Sequence, residues 1–166
     1  MNWTRTIEIA KRYAEEVIAL YRQKLVDNPK SQYGDKNTTG NLSNNLDYEV
    51  VVSDDEVKVL LYIEDYWKYV EEGRMSGSWP PVNKIEQWIE TKPVLPQPNS
   101  NGKLPTTKQL AFLISRTIYE NGIEPTYYLS ESIEYLQEKY IPLFETALEE
   151  DAANTAIVMF DEILNW

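Results

Sequence analysis

The stretch Leu46 to Ile63, LDYEVVVSDDEVKVLLYI, decides the fold class. Leu46, Tyr48, Val50 and Val52 alternate with Asp47, Glu49 and Ser53, and Val57, Val59, Leu61 and Ile63 alternate with Lys58, Leu60 and Tyr62. A period of two with β-branched residues marks strands, and Asp54-Asp55 between them marks a tight turn, so the stretch reads as a hairpin. A lone hairpin is marginal in water. At least one helix must cover its apolar face, and further strand pairing is expected.

Upstream, Ile7, Ala10, Ala14, Val17, Leu20 or Tyr21, and Leu25 recur at helical spacing from Thr4 to Asp27, ended by Asn28-Pro29. This long helix is the obvious cover for the hairpin. Glu8, Lys11, Arg12, Glu15, Glu16 and Arg22 form its solvated opposite face. Ser31 to Asn45 reads as a loop in which Thr39-Gly40-Asn41-Leu42 opens a single helical turn.

Downstream, Asp65 to Glu72 reads as a short helix whose acidic start suits the helix dipole, with Gly73 as its stop. After a Gly/Ser loop, Pro80-Pro81 restarts the chain as a first helical turn, and Val82, Ile85, Trp88 and Ile89 form the buried face of the next helix. Lys92 to Pro105, with four prolines among Asn, Ser and Gly, is a loop. Thr106 or Thr107 then caps a helix with the stripe Leu110, Leu113 or Ile114, and Thr117 or Ile118, ended by Asn121-Gly122. From Leu129 onward, apolar positions to Ile163 give one or two helices with a boundary or kink at Pro142. The fold class is α+β: a long N-terminal helix packed on a small antiparallel sheet, followed by several helices and a helical C-terminal extension.

Composition narrows the chemistry. At 166 residues the chain is long enough to bury roughly 70% of its unfolded surface. Its 27 acidic and 16 basic side chains leave a formal charge of -11, the wrong sign for a phosphate-backbone footprint. With no Cys and no His, thiolate zinc sites, Cys nucleophiles and Ser-His-Asp arrangements lack their residues. Glu71-Glu72, Asp54-Asp55 and Glu149-Glu150-Asp151 read as solvated surface rather than as acid and base pairs, since adjacent carboxylates on a helix or turn point in different directions. No segment has calcium-loop or phosphate-loop spacing, so neither an enzyme nor a cofactor is expected. No apolar run reaches the ~18 residues of a membrane span, and the N-terminus lacks a signal-peptide pattern, so the chain is expected to fold inside the cell.

What remains unusual is aromatic content: 12 tyrosines and 5 tryptophans. Tyr and Trp join apolar area to a polar handle and act as anchors at interfaces. Trp67 and Trp88 fit a small core. Trp79, in a Gly/Ser/Pro loop, has fewer core partners and is a candidate contact residue.

The ordered elements Thr39-Gly40-Asn41-Leu42, Tyr66-Trp67-Lys68-Tyr69-Val70-Glu71-Glu72-Gly73, Pro80-Pro81-Val82 with Ile85 to Ile89, Leu110-Ala111-Phe112, and Gly122-Ile123-Glu124-Pro125 with Tyr127-Tyr128-Leu129 resemble the tail-completion or neck (head-tail joining) family of tailed bacteriophages. The likeness covers about Arg5 to Tyr135; the Lys92 to Pro105 segment and the acidic extension after Tyr140 depart from the family pattern. The resemblance implies a tail-completion-like domain over 1–140 with a helical extension over 141–166. It also implies a non-enzymatic virion protein, located in the neck and in host cytoplasm during assembly. Such a protein forms a ring with itself and contacts portal or adaptor ring proteins and tail tube or tail hub proteins. DNA passes the lumen without specific binding. The subunit or partner contacts expected on this basis are Tyr66, Trp67, Gly73, Arg74, Met75, Trp79, Pro80 and Pro81. Two other classes fit the composition: an acidic DNA-mimic or inhibitor that binds a basic partner, and a small hydrolase working with carboxylates alone.

Overall fold

The computed structural model describes residues 3–28, 30–31, 34–35, 40–64, 66–91, 96–98 and 100–164. The expected α+β class is what it shows, and the chain divides into two compact units: Met1–Asp27 with Leu42–Glu64 and Tyr128–Trp166, and Asn28–Asn41 with Asp65–Tyr127.

In the first unit, helix α1 (Thr4–Asp27) buries Thr6, Ile9, Ala10, Ala14, Val17, Tyr21 and Leu25, the stripe its spacing predicts with Ile9 and Thr6 in place of Ile7. Its first turn holds no acidic residue. The helix α6 (Tyr128–Leu164) supplies one instead. Asp151, buried to 1% exposure, accepts from the Arg5 N–H at 2.9 Å and the Thr6 N–H at 2.8 Å, closing two of the four orphan donors of a helix start. Burial alone pushes the Asp151 carboxyl up, but the Arg5 and Thr6 amides outweigh it and hold the group below the ordinary carboxylate range. Asp151 was expected to be solvated; its role as a cap for a distant helix is what takes it inside.

Helices α1 and α6 run antiparallel. Arg5 meets Glu150 at 2.9 Å, Glu16 meets Lys139 at 2.6 Å and Lys24 meets Glu131 at 2.6 Å, so one set of numbers falls as the other rises. Between these pairs, Tyr13 packs edge-on against Tyr140 (5.2 Å) and Phe144 (6.1 Å). Leu129, Ser132, Leu136, Tyr140 and Ala147 complete the buried stripe of α6. That stripe lies on both sides of Pro142, and the helix continues through the proline instead of ending there. Packing against α1 outweighs one missing i→i−4 bond. The position expected as a boundary, 140/141, falls inside α6.

Helix α2 (Asn41–Asn44) is the expected single turn; Thr39 of that motif lies outside the described residues. Leu42 is fully buried and the Ser43 carbonyl accepts from Arg22 Nε at 2.7 Å, which fastens the turn to α1. Strands β3 (Asp47–Val52) and β4 (Val57–Tyr62) form the hairpin, with Val50 opposite Val59. The Ser53 N–H donates to the Glu56 carbonyl at 2.9 Å, leaving Asp54 and Asp55 at the tip. Helix α1 covers one face, where the Tyr48 hydroxyl donates to Glu15 at 2.9 Å. The extra strand expected beside this hairpin is not found among the described residues: β3 and β4 form a two-stranded sheet packed on α1.

In the second unit, β1 (Lys30–Ser31) and β2 (Gly34–Asp35) make a minimal antiparallel pair within the segment expected as loop. Helix α3 (Trp67–Glu71) starts after Tyr66 without a side-chain cap, and the expected acidic start, Asp65, lies outside the described residues. Helix α4 (Val82–Thr91) packs against α5 (Thr107–Asn121). Pro81 precedes α4 rather than lying in its first turn, and its carbonyl accepts from the Lys84 N–H at 3.0 Å. Thr106 caps α5 in a reciprocal box with Gln109. The buried line of α5 is Ala111, Ser115 and Ile118, while Leu113 is 51% exposed. Small residues let the helices approach closely, and the larger Leu113 is turned outward. Of the Pro-rich segment, residues 92–95 and 99 lie outside the described residues.

Candidate interaction surface

The Gly73 to Trp79 loop of the second unit is built from backbone hydrogen bonds. After α3, Gly73 turns the chain at φ 68, where a Cβ would stand 2.2 Å from the Ile123 carbonyl oxygen. Arg74 and Ile123 then exchange both hydrogen bonds, at 2.9 and 2.8 Å. Across the bridge Gly122 sits at φ 75, where a Cβ would stand 2.4 Å from the Arg74 carbonyl oxygen. Two glycines are therefore required by the same close approach, each for the other's strand. The Gly77 N–H donates to the Tyr119 carbonyl at 2.7 Å, and the Thr126 and Tyr127 N–H groups donate to the Glu71 carbonyl at 3.0 and 3.1 Å. Tyr127 is held at φ 54, outside the usual range for a residue with a side chain. These bonds clamp the segment 70–77 to the segment 119–127.

Side chains project from this frame. The Trp79 ring lies 5.5 Å from Phe112 and 5.2 Å from Tyr119, both on α5, and the three rings remain 43%, 50% and 40% exposed. The cluster is large and apolar yet open to solvent, as recognition surfaces are. Met75, 89% exposed, is the tip of the loop. Arg74 Nη2 turns back to the Ser78 hydroxyl at 3.0 Å and bridges the base of the tip.

The expected contact residues thus divide. Gly73 and Arg74 shape the loop, Met75 and Trp79 are presented by it, and Pro80 is buried beneath. Pro81 immediately precedes α4, Tyr66 is the exposed residue before α3, and Trp67 is its half-buried first residue. Phe112 and Tyr119 were missed as surface residues. Their signal is in the sequence, because residues seven apart share a helix face, but the expected stripe runs through Leu110, Leu113 or Ile114, and Thr117 or Ile118, Phe112 enters only through the Leu-Ala-Phe motif, and Tyr119 is not singled out. Glu71, expected at the surface, is buried to 2% exposure, and its carbonyl anchors the clamp. Glu72, Asp54, Asp55, Glu149 and Glu150 are exposed as expected.

Among the described residues, no group of three or more Asp or Glu converges as a metal site, and no helix is long and apolar enough to cross a membrane. Comparison with protein-family models, with curated proteins and with solved structures gives no match to this chain.

Proposed function

We propose that this chain is a non-enzymatic structural protein of a tailed-phage virion that forms a ring at the head-tail junction, joining a portal or adaptor ring to the tail. The observation that carries the reading is the clamp. Two segments of the neck-family resemblance, Tyr66 to Gly73 and Gly122 to Pro125, are far apart in sequence and are joined where Arg74, directly after the first, exchanges hydrogen bonds with Ile123 of the second. Motifs that depend on one another for geometry are stronger support than motifs in order alone. The clamp presents Met75 and the Trp79, Phe112 and Tyr119 cluster as an apolar patch, which suits a contact between unlike surfaces of neighbouring rings or subunits. Net charge fits as well, because an acidic wall repels passing DNA.

Particle composition tests the reading directly. Purified virions should contain the chain in multiple copies, and a symmetry-resolved image of the neck should accommodate it; a chain absent from mature particles overturns the proposal. Trp79→Ala should weaken assembly by about 2 kcal/mol, roughly thirtyfold in affinity, as expected of an aromatic anchor. Its circular dichroism should stay that of the parent, because the loop frame is backbone.

A further inference from the structure

The hairpin has two open margins. Ser53 and Glu56 are a hydrogen-bonded pair, and such pairs alternate along an antiparallel ladder, so the amides of Val51, Lys58, Glu49 and Leu60 point into the ribbon. The backbone groups of Tyr48, Val50 and Val52 therefore face out from one margin, and those of Val57, Val59 and Leu61 from the other. The Tyr48 N–H is taken by its neighbour Asp47 at 2.8 Å. Among the described residues, no hydrogen bond reaches the outward groups of Val50, Val52, Val57, Val59 or Leu61 from another segment. A six-residue, β-branched strand with a free margin is a template for another strand.

We infer that the hairpin pairs head-to-tail with the hairpin of a second copy, the free margin of β3 receiving β4 of its neighbour. Three observations select this occupant. First, β3 and β4 are already matched partners along their inner margins, in a fixed register with Val50 opposite Val59. The outer margins belong to the same two strands, so the β3 of one copy meets a strand it is known to fit. Second, the charges are complementary. β3 carries Asp47 and Glu49 and no basic residue, while β4 carries Lys58, so a second β3 offers Glu49 no cation, whereas β3 with β4 sets Glu49 diagonal to Lys58. Third, the face turned away from α1 leaves Val51 39%, Leu60 41% and Tyr62 51% exposed, and flanking strands shield those side chains. The contact is heterologous, so repeating it either closes a ring with two strands per copy in one antiparallel sheet or runs on as a filament. The inference deepens the ring reading and rests on it for closure alone.

The chain has no cysteine, so introduced thiols report unambiguously. With Val50 opposite Val59 across the new margin, Val51 and Lys58 of neighbouring copies form a non-hydrogen-bonded pair with Cα atoms about 4.5 Å apart, within disulfide range. Mixing differently tagged Val51→Cys and Lys58→Cys proteins under mild oxidation should give the mixed dimer, with each variant alone giving little. Dominant Val51→Cys homodimers overturn the head-to-tail assignment in favour of symmetric pairing. A second readout needs no substitution and no assumed register. On raising the concentration of parent protein, the Val50, Val59 and Leu61 amides should exchange about tenfold more slowly, while Val51 and Leu60 are protected throughout. Rings whose outward amides stay unprotected overturn the pairing and leave the ring reading standing. Protected amides in open filaments that never enter virions do the reverse, and a chain that stays monomeric at millimolar concentration overturns the pairing outright.

Discussion

Replacing Asp151 by Ala should destabilise the first unit by about 2 to 3 kcal/mol. A capping side chain contributes about 1 kcal/mol, and a buried N–H left without an acceptor adds about 1 to 3 kcal/mol. Of the two donors, the Thr6 N–H is buried and takes the full penalty, while the Arg5 N–H is part-buried and water replaces some of the loss. Asp151→Asn keeps one acceptor oxygen, loses the charge at the helix start, and should cost about 1 kcal/mol. Glu150→Ala is the control: its pair with Arg5 is about half exposed on both sides, and such pairs contribute under about 0.5 kcal/mol. For a chain of this length, the Ala variant should melt about 4 to 12 °C lower by circular dichroism. The pH dependence has a definite sign. The folded carboxyl is held below its unfolded value, so the gap between parent and Asp151→Ala is full above about pH 4 and closes as pH falls through the folded pKa. Equal melting of parent and Asp151→Ala at neutral pH refutes the cap, and so does a Glu150→Ala variant that loses as much.

At alkaline pH a different group governs the same helix pair. Burial first and the Glu16 carboxylate second push the Tyr140 hydroxyl up to about 12, so its contribution is full below about pH 10 and is lost as pH rises toward 12. Tyr140→Phe should remove that alkaline loss, and ultraviolet titration should lose one late-ionising phenol. Gly122→Ala forces both an unfavourable backbone angle and a backbone clash, and should cost at least about 2 kcal/mol, read as a lower urea midpoint. Gly77→Ala is the contrast: a Cβ there meets nothing within 4 Å, so only the φ of 87 opposes it, and it should cost about 1 kcal/mol.

Features set by local chemistry are legible in the sequence. The bounds of α1, the Thr106 cap, the Gly73 and Gly122 stops and the hairpin with its Asp54-Asp55 tip all follow from spacing and turn residues. What was not legible depends on what a segment packs against. Pro142 reads as a boundary or a kink because the local rule says so, and the stripe that carries α6 past it as one helix matters only against α1. Asp151 reads as surface because its neighbours Glu149 and Glu150 are, and nothing near it in sequence announces a helix start at Thr4. On α5 the buried line runs through Ala111, Ser115 and Ile118, and Leu113, two residues on from Ala111, is on another face, a choice that local spacing alone does not make.

The candidate surface follows the same division, with a consequence for how its parts respond to mutation. The loop's path is fixed by main-chain bonds of Arg74, Gly77 and Ile123 and by two glycines, so the side chains of Met75 and Trp79 are not needed to hold it. A surface whose frame and chemistry are separate can change partner specificity without changing fold. If Trp79 recognises a neighbour, substitutions at 75, 79, 112 and 119 should act on assembly and leave the urea midpoint of the isolated chain within about 0.5 kcal/mol of the parent. Substitutions at Gly73 and Gly122 should act on both. A Trp79→Ala protein that unfolds as readily as Gly122→Ala would place the ring in the core of the second unit and remove it from the contact surface, because only then does its cluster with Phe112 and Tyr119 hold the clamp closed.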